Sequence, residues 1–291
     1  MTTRKNSFFD ILNILFMLIC MLICLYPFYY MLIYSLSSPH LARFGLTFYP
    51  KGITFDNYRK VLTLPNILPA AIVSVSRTVL GTMLTVLCCS FFAYLLTKPM
   101  YCRKLIYRIL IITMYVNGGL IPNFLIMRLY GLNNNYLIYI LPTALSAYNV
   151  ILIKTFFEQL PNSLEESAVL DGASTFVRWW QIIMPLSKPI LATIAVFSAV
   201  GQWNAWFDAH IYMTDSKKWS LQYILYRYLK EAQQAASMVE NNLSGDLDIV
   251  EITPEAIRMT ITAVITIPIL VVYPFMQRYF VKGIMLGAVK G

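Results

Sequence analysis

The sequence predicts an all-α integral membrane protein that folds as one domain with six transmembrane helices. Apolar residues form 58% of the 291-residue chain and charged residues 13%, whereas soluble domains average about 25% charged residues. Six segments without a charged residue have about the 20 residues that a helix needs to cross a bilayer. None of them alternates apolar and polar residues as the strands of a membrane barrel do. We therefore expect spans at approximately 11–36, 70–97, 107–127, 136–157, 187–210 and 257–277 of the single domain 1–291.

The first span follows a short polar N-terminus that carries Arg4 and Lys5. Its apolar run is too long for a signal peptide and has no small-x-small cleavage site, so we expect a helix that stays in the protein. Six spans place both ends of the chain on one side of the membrane. Basic residues in the short segment 97–108 favour the cytoplasm for that side. We attribute the net charge of +9 to such flanking residues and expect no nucleic-acid binding, because no basic groove with aromatic residues lies outside the spans.

The sequence around spans two and three predicts an external loop, a basic side chain at a helix end and a break or bend in a helix. Segment 37–69 is expected to be an external loop with a short helix near 56–62. Span two carries Arg77 near its outer end, where a long basic side chain can reach the membrane interface. Span three contains the sequence NGGLIP at Asn117–Pro122, and its glycines and proline weaken or bend a membrane helix.

Span five ends in the sequence GQWNAWFDAH at 201–210, where polar groups lie beside aromatic side chains. Polar groups inside a membrane usually face a cavity or a partner, and aromatic rings with amide and carboxylate groups suit the apolar faces and hydroxyls of sugars. The alternative is an interfacial aromatic belt with an aspartate that reaches the membrane surface. The asparagines of spans three and four could instead form hydrogen bonds between helices. The candidates for a substrate pathway are Asn117, Asn149, Gln202, Trp203, Asn204, Trp206 and Asp208.

The external segment 212–256 is the longest polar part of the chain and is too long for a simple connection. Its middle, 220–242, has the helical spacing of apolar residues, and the sequence LSGD at 243–246 indicates a turn. We expect this segment either to meet an extracytoplasmic protein or to lie on the membrane, packed on its own chain.

The cysteines and histidines do not indicate a metal site. The two histidines and five cysteines lack the spacing of zinc ligands. We therefore expect no metal and no disulfide, and we interpret the cysteines as packing residues: Cys20, Cys24, Cys88, Cys89 and Cys102.

Charged residues return in segment 160–186, between spans four and five. Ser163 and the glutamate three residues later form a capping box, which predicts the start of a short helix. Gly172 can take the left-handed conformation that ends this helix, and Ser174 can cap a second helix that ends before Pro185. On these signals alone, the segment is equally a solvated loop with ordinary caps or an element that binds a partner.

The sequence E-S-A-x-x-D-G-A from Glu166, with Phe176 and the pattern I-x-M-P-L-x-x-P from Ile182 to Pro189, resembles the EAA loop of binding-protein-dependent ABC importer permeases. A serine stands where that motif has its middle alanine. The NGGLIP sequence, WNAWFDA at 203–209 and the C-terminal sequence 273–291 are similar to carbohydrate-uptake permeases of the maltose-type and complex-polysaccharide families. The resemblance extends over nearly the whole chain.

The resemblance implies a type I ABC importer permease fold in which a cytoplasmic coupling helix docks on an ATPase. It assigns ATPase coupling to Glu165, Glu166, Ser167, Ala168, Asp171, Gly172, Ala173 and Pro185. It assigns contact with the ATPase to the tail residues Gly287, Ala288, Val289, Lys290 and Gly291. The implied partners, in a bacterial cytoplasmic membrane, are membrane lipid, a second homologous permease, a cytoplasmic ABC ATPase dimer and an extracytoplasmic solute-binding protein.

The chain has no G-x-x-x-x-G-K-[ST] loop to bind nucleotide phosphates. We therefore expect a transport subunit that is not an enzyme and has no cofactor of its own, with ATP and Mg²⁺ bound by the partner ATPase. The expected function is import of an oligosaccharide by alternating access.

Three other functions agree less well with the sequence. The same architecture could carry a peptide, a polyamine or a phosphonate, although WNAWFDA and NGGLIP argue against such cargo. A secondary transporter would need carboxylates near the middle of its spans to couple ions, and the inner spans hold almost none. An intramembrane hydrolase is not supported, because the chain has neither H-E-x-x-H nor paired midplane aspartates.

Overall fold

The computed structural model describes residues 8–38, 41, 48–116, 118–161, 163–241 and 254–288. These residues are almost wholly helical, as predicted, apart from loops and one isolated antiparallel bridge between Ser37 and Ile53. The helices, labelled in chain order, are α1 (Phe8–Leu36), α2 (Asp56–Thr63), α3 (Ile67–Thr97), α4 (Arg103–Tyr115), α5 (Leu120–Leu129), α6 (Ala147–Phe157), α7 (Ser163–Leu170), α8 (Thr175–Leu186), α9 (Lys188–Asn204), α10 (Phe207–Tyr212), α11 (Leu221–Asn241) and α12 (Pro254–Ala288).

Three helices of the described chain are long and apolar enough to cross a membrane: α1, α3 and the part Glu255–Pro274 of α12. The number rises to five if α4 with α5, and α8 with α9, each count as one bent span. The bend between α8 and α9 is 86°. Length and composition of the described helices therefore supply fewer spans than the six that the sequence predicts. The short helices predicted near 56–62 and 220–242 are present as α2 and α11.

The NGGLIP sequence interrupts predicted span three. α4 ends at Tyr115 and α5 begins at Leu120, and Gly119 between them has a φ of +84°, which favours glycine. Pro122 lies in the first turn of α5, where a missing N–H costs no helical hydrogen bond. The sequence predicts a weakened or bent helix in span three, and the structure has two separate helices there.

Predicted span four is not one continuous helix over 136–157. The structure has a 3₁₀ turn at Tyr136–Tyr139 and, after a loop, the 11-residue helix α6. Pro142 lies in this loop, where it can offer no N–H to a helix and disfavours helical geometry in the residue before it. Ser146 then starts α6 anew, because its side chain accepts the N–H of Asn149.

The chain divides into two compact units, one of Met1–Ile67 with Leu225–Ile267 and one of Leu68–Ile224 with Pro268–Gly291. In the second unit, side chains of α3, α4, α6, α8 and α9 form an apolar core. Its buried residues are Cys89, Ala93, Tyr94, Leu96, Leu110, Val150, Ile153, Phe157, Trp179, Ile183, Leu191 and Ile194.

In the first unit, the end of α1 is fixed to α2 through Asn57. The buried Asn57 Nδ2 donates to the carbonyl oxygens of Ser35 and Ser37, at 3.0 and 2.8 Å. These bonds satisfy carbonyl groups that have no partner within α1, because a helix leaves its last carbonyls unbonded.

The five cysteines are free thiols, and their packing differs from the prediction in part. Cys89 is fully buried in the core of the second unit. Cys24 and Cys102 are exposed instead. Cys102 has a left-handed φ of +58° just before α4, so it belongs to a turn and not to a packed helix face.

Candidate functional site

The hinge, residues 163–186, consists of α7, a glycine turn and α8. Gly172 has a φ of +76° and ends α7. The N–H groups of Gly172 and Ala173 donate to carbonyl oxygens in the last turn of α7, at 3.0 and 2.9 Å, as in a Schellman turn. Ser174 Oγ then accepts the N–H of Val177 and caps α8. The sequence predicts both the glycine turn and this second cap correctly.

α8 does not end before Pro185, contrary to the sequence prediction. It continues to Leu186 through a π-helical turn at Arg178–Ile183, after which the N–H of Met184 donates to the carbonyl of Trp179. A π-turn spaces its hydrogen-bonded groups one residue further apart than an α-turn does. We attribute the passage of the helix through Pro185 to this spacing, because the ring then avoids the carbonyl with which it clashes in a regular α-helix.

Glu165 binds three side chains of its own chain. Its carboxylate accepts hydrogen bonds from Tyr94 Oη, Lys98 Nζ and Arg178 Nη1, the last at 3.1 Å. We call these four residues the hinge cluster. The side chains of Lys98, Glu165 and Arg178 are 26%, 15% and 18% exposed. Burial acts to raise the pKa of Glu165, but the hydrogen bonds from Lys98 and Tyr94 and the charges of Lys98 and Arg178 outweigh it, so the pKa lies below its ordinary value.

The hinge also presents an exposed surface, which we call the docking face. Among the exposed apolar side chains of the hinge, Leu170 is 88% exposed and Phe176 is 58% exposed, and exposed charged and polar residues lie near them in the chain. A mixed surface of this kind is typical of protein-binding sites. Ala168 lies on the other side of α7 and is buried. The docking face comprises Glu166, Ser167, Leu170, Asp171 and Phe176.

Arg77 is 1% exposed, so the prediction that it reaches the membrane interface is wrong. Its Nε and Nη2 donate to Gln202 Oε1 at 3.2 and 3.1 Å. Its Nη1 donates to Asp208 Oδ1 at 3.1 Å and to the carbonyl of Ala205 at 3.2 Å, and its Nη2 donates to Asp208 Oδ2. The guanidinium carbon lies 4.2 Å from the centroid of the Tyr139 ring. Because a carboxylate and an aromatic ring both face the cation, the guanidinium can be buried here. We call these five residues the corner cluster.

Gln202, predicted as a pathway residue, is 4% exposed and is held at both ends of its amide. Its Nε2 donates to the carbonyl of Tyr139 at 3.0 Å and to Thr143 Oγ1 at 2.7 Å, while its Oε1 accepts from Arg77. A Cβ at Gly81 would come within 2.6 Å of Nε2 and 2.8 Å of Cδ. Since the amide cannot move without losing these bonds, the approach of α3 to Gln202 requires glycine at this position.

The other predicted pathway residues of span five lie in different surroundings. Asn204 is exposed, and its Oδ1 accepts a hydrogen bond from Gln222 Nε2 at 3.1 Å. Trp203 lines an apolar cavity of about 380 Å³ formed by α3, α9 and α12, whose walls do not match the hydroxyls of a sugar. Trp206 packs edge-on against Phe207, with ring centroids 5.6 Å apart.

The structure describes some of the remaining predicted site residues, which are the two asparagines of other spans and the C-terminal tail. Asn149 lies in the first turn of α6 and is buried. Asn117 lies outside the described residues, as do the tail residues Val289, Lys290 and Gly291, whereas Gly287 and Ala288 end α12. Over the residues that the structure describes, no group of three or more His, Cys, Asp or Glu side chains could hold a metal ion.

Sequence reasoning did not pair Glu165 with Lys98 or Arg77 with Asp208, which are 67 and 131 residues apart in the chain. One signal in the sequence points to the second pair. Arg77 and Asp208 are opposite charges near the same predicted end of two nearly charge-free spans, and an unpaired charge in a membrane is costly. No comparable signal singles out Gly81 or Tyr139.

No family model matches the chain. The chain is 39% identical to Protein LplC of Bacillus subtilis (strain 168), over 99% of this chain and 97% of that protein. It is 36% identical to the polygalacturonan/rhamnogalacturonan transport system permease protein YtcP of the same organism, over 99% and 100%. It is 30% identical to the trehalose transport system permease protein SugB of Mycobacterium tuberculosis, over 83% and 84%.

A solved structure agrees with these relatives. In the crystal structure of a bacterial ABC transporter involved in the import of the acidic polysaccharide alginate, one chain superposes with a TM-score of 0.84 at 31% sequence identity. The superposition covers 96% of the present chain and 99% of that chain.

Proposed function

The chain belongs to the permeases of carbohydrate ABC transporters, and from this membership we propose that it imports an oligosaccharide across the bacterial cytoplasmic membrane by alternating access. It is a multi-pass membrane protein and a transport subunit, not a catalytic one. The observation that carries the proposal is similarity over nearly the full length of the permease YtcP and of one chain of the solved alginate importer.

The cargo that we propose is an oligosaccharide containing uronic acids. Two of the similar proteins are named for acidic polysaccharides, polygalacturonan/rhamnogalacturonan in one case and alginate in the other. An extracytoplasmic solute-binding protein would deliver this cargo, and a second homologous permease would complete the path. We propose that α11, which has one strongly polar side, lies on the external side and meets the binding protein.

The docking face of the hinge is the surface that we propose for the cytoplasmic ABC ATPase dimer, which binds ATP and Mg²⁺. The exposed Glu166 would pair with basic groups of the ATPase, and Leu170 and Phe176 would enter an apolar cleft. The structure gives Glu165 three partners in its own chain, so its part in coupling would be internal. The tail Gly287–Gly291 would contact the same ATPase.

We further propose six spans with both termini in the cytoplasm. The fourth would combine the 3₁₀ turn at Tyr136–Tyr139 with α6, and the fifth would combine α9 with α10. Lys98 and Arg103 at the inner end of α3 support this orientation, because basic residues concentrate on the cytoplasmic side. The hinge then lies inside and the corner cluster near the outer surface.

For the substrate pathway we propose Asn204 and Trp206, together with Asn117 and Asn149 of other spans. Gln202 and Asp208 would serve the pathway indirectly, since their polar atoms are engaged by Arg77. Trp203 would serve as its apolar wall.

The test is ATP hydrolysis by the complex in lipid nanodiscs. The chain is co-expressed with the second permease and the ATPase, and the binding protein is added with neutral or uronate oligosaccharides. We expect uronate oligosaccharides to stimulate hydrolysis and neutral ones of equal length to stimulate it much less. Stimulation by neutral sugars alone would contradict the proposed cargo, and an assembled complex that responds to no sugar would contradict the proposed function.

The docking face is tested in the same system by Glu166→Lys, which reverses the charge offered to the ATPase. We expect the ATPase to be lost from the purified complex while the chain still inserts in the membrane. Glu231→Lys is the matched control, because Glu231 is an exposed glutamate on α11, far along the chain from the hinge. Equal loss of the ATPase in both variants would exclude a specific role for the docking face.

A further inference from the structure

Predicted span five turns a corner at Ala205 and Trp206. α9 ends at Asn204, Ala205 is extended with a ψ of 124°, and α10 begins at Phe207. The last carbonyls of a helix have no partner within it and carry partial negative charge, which favours a nearby cation. Arg77 supplies that cation, since its Nη1 donates to the carbonyl of Ala205.

The corner cluster uses the full capacity of a guanidinium. Arginine has five N–H donors in a planar fork, and Arg77 makes five hydrogen bonds, two to Gln202, two to Asp208 and one to Ala205. Gln202 belongs to α9, Ala205 is the corner itself, and Asp208 belongs to α10. One side chain of α3 therefore binds both arms and the vertex of the corner. Lysine, with three donors and no fork, cannot make this set of bonds.

Aromatic rings lie on the outer arm of the corner. Trp206 packs against Phe207 at 5.6 Å and against His210 at 6.1 Å between ring centroids. Phe207 is 47% exposed, and His210 is exposed as well. Rings held in this way offer the flat apolar surface on which the C–H face of a sugar ring can pack.

We propose that Arg77 is a positioning residue for transport: it sets the angle between α9 and α10 and so holds Trp206 and its aromatic neighbours ready for the delivered oligosaccharide. This inference rests on the proposed function, because it requires cargo to reach the chain at this end of α3. The role of Arg77 is indirect, since its donors are all taken by its own chain.

The experiment uses the whole complex in nanodiscs with the binding protein and the oligosaccharide that stimulates the wild type most. Arg77→Lys keeps the charge that faces Asp208 but loses the fork. We expect the half-saturating concentration of loaded binding protein to rise about tenfold, the effect of losing one or two charge-assisted hydrogen bonds. The maximal rate and the amount of bound ATPase should stay unchanged. An unchanged half-saturating concentration would overturn the proposal.

A double variant separates positioning from plain stability. In Arg77→Met with Asp208→Leu, an apolar pair replaces the buried ion pair, a change that proteins often tolerate. We expect it to be more stable than Arg77→Met alone, because no charge is left without a partner, while its half-saturating concentration remains raised. Recovery of both quantities would show that the corner cluster only maintains the fold and would overturn the proposal. Gly201→Ala, with open space at the new Cβ, is the matched control in the same helix and should match the wild type.

A spectroscopic readout does not depend on transport. The chain is labelled with 5-fluorotryptophan, and the fluorine resonances of Trp206 and Trp180 are assigned by replacing each with phenylalanine. Arg77→Lys should shift the resonance of Trp206 and leave that of Trp180, in the hinge, unchanged. If the Trp206 resonance does not shift, the inference is refuted, whether or not a sugar stimulates the wild type. If the Trp206 resonance shifts but no sugar stimulates the wild type, only the proposed function is refuted.

Discussion

Two clusters of charged side chains join α3 to the part of the chain between residues 163 and 212, and they differ in how deeply they are buried. In the corner cluster the cation Arg77 is 1% exposed and its partner Asp208 is 23% exposed, whereas all three charged side chains of the hinge cluster are 15% to 26% exposed. Arg77 and Lys98 are 21 residues apart, which in a helix is roughly 32 Å, about the thickness of the bilayer's hydrocarbon core. The same helix is thus joined to its neighbours at both ends by ionic bonds of unequal strength.

The difference in burial predicts a difference in function. A buried ion that loses its partner keeps its desolvation cost without compensation, so the corner cluster should stay closed throughout the transport cycle. An ion pair in which every charged side chain reaches water is stabilised less, because water can replace either partner. In the proposed transport cycle we therefore expect the hinge cluster, and not the corner cluster, to be the contact that opens and closes.

The largest expected effect is on the free energy of unfolding, when the corner cluster and the hinge cluster are each deprived of a cation. Arg77→Met should lower the free energy of unfolding by about 3 kcal/mol, because Asp208 and the amide of Gln202 lose a buried partner. Lys98→Met should lower it by at most about 1 kcal/mol. Thermal unfolding in nanodiscs, followed by intrinsic fluorescence, measures both. Equal losses would contradict the contrast between the two clusters.

The next effect concerns the contact between α3 and α9. Gly81→Ala should destabilise the protein by about 2 kcal/mol, because the new methyl group overlaps Gln202 and its amide cannot move aside. Gly201→Ala, one residue from Gln202 in α9, should be neutral or slightly stabilising, because alanine favours a helix. The same unfolding measurement compares the two. A neutral Gly81→Ala would show that Gln202 is not fixed as described.

A smaller effect should separate the two adjacent glutamates of α7. Glu165→Gln keeps the shape of the side chain and removes its charge, so the hinge cluster loses its ion pairs at a cost of about 1 kcal/mol. We expect the ATPase to stay bound while less sugar is imported per ATP hydrolysed. Glu166→Gln should instead weaken ATPase binding and leave unfolding unchanged. Identical behaviour of the two variants would contradict the division between an internal glutamate and a docking one.

The smallest effect is in the pH dependence of the hinge cluster. Because the pKa of Glu165 is lowered in the folded protein, its contribution to stability is complete above the ordinary glutamate pKa and is lost as the pH falls through the lowered value. Infrared difference spectra against Glu165→Gln should show its carboxyl protonating at a pH below the ordinary range of a glutamate, because its pKa is lowered. Arg178→Gln should raise this midpoint, since it removes one of the charges. A midpoint above the ordinary range of a glutamate in the wild type would show that the ionic contacts do not outweigh burial.

The hinge was largely predictable from the sequence because its signals are local. Gly172 and Ser174 act on backbone groups within a few residues, and such contacts need no knowledge of the fold. The path of α8 through Pro185 was not predictable, because the π-turn that permits it depends on packing of Trp179 and Ile183 in the core. The docking role assigned to the hinge stays a prediction.

The corner cluster was only half predictable. The sequence shows that Gln202 and Asp208 are unusual at membrane depth, but the choice between a substrate path and a packed cluster is made by Arg77, more than 120 residues earlier in the chain. Likewise, the chain does not form the continuous helix that its apolar composition predicts over 136–157. Pro142 disfavours the helix and Ser146 starts a new one. Distant partners and competing local signals account for these differences.

The corner cluster and the hinge cluster together also fix the number of residues between Arg77 and Lys98. One residue inserted there would turn Lys98 by about 100° around the helix axis relative to Arg77 and move it by about 1.5 Å along that axis. Either Lys98 would then point away from Glu165 or Arg77 would point away from Asp208, whatever residue was inserted. We therefore expect the chain to tolerate changes of the exposed side chains of this helix between the two clusters, but not a change in its length in residues.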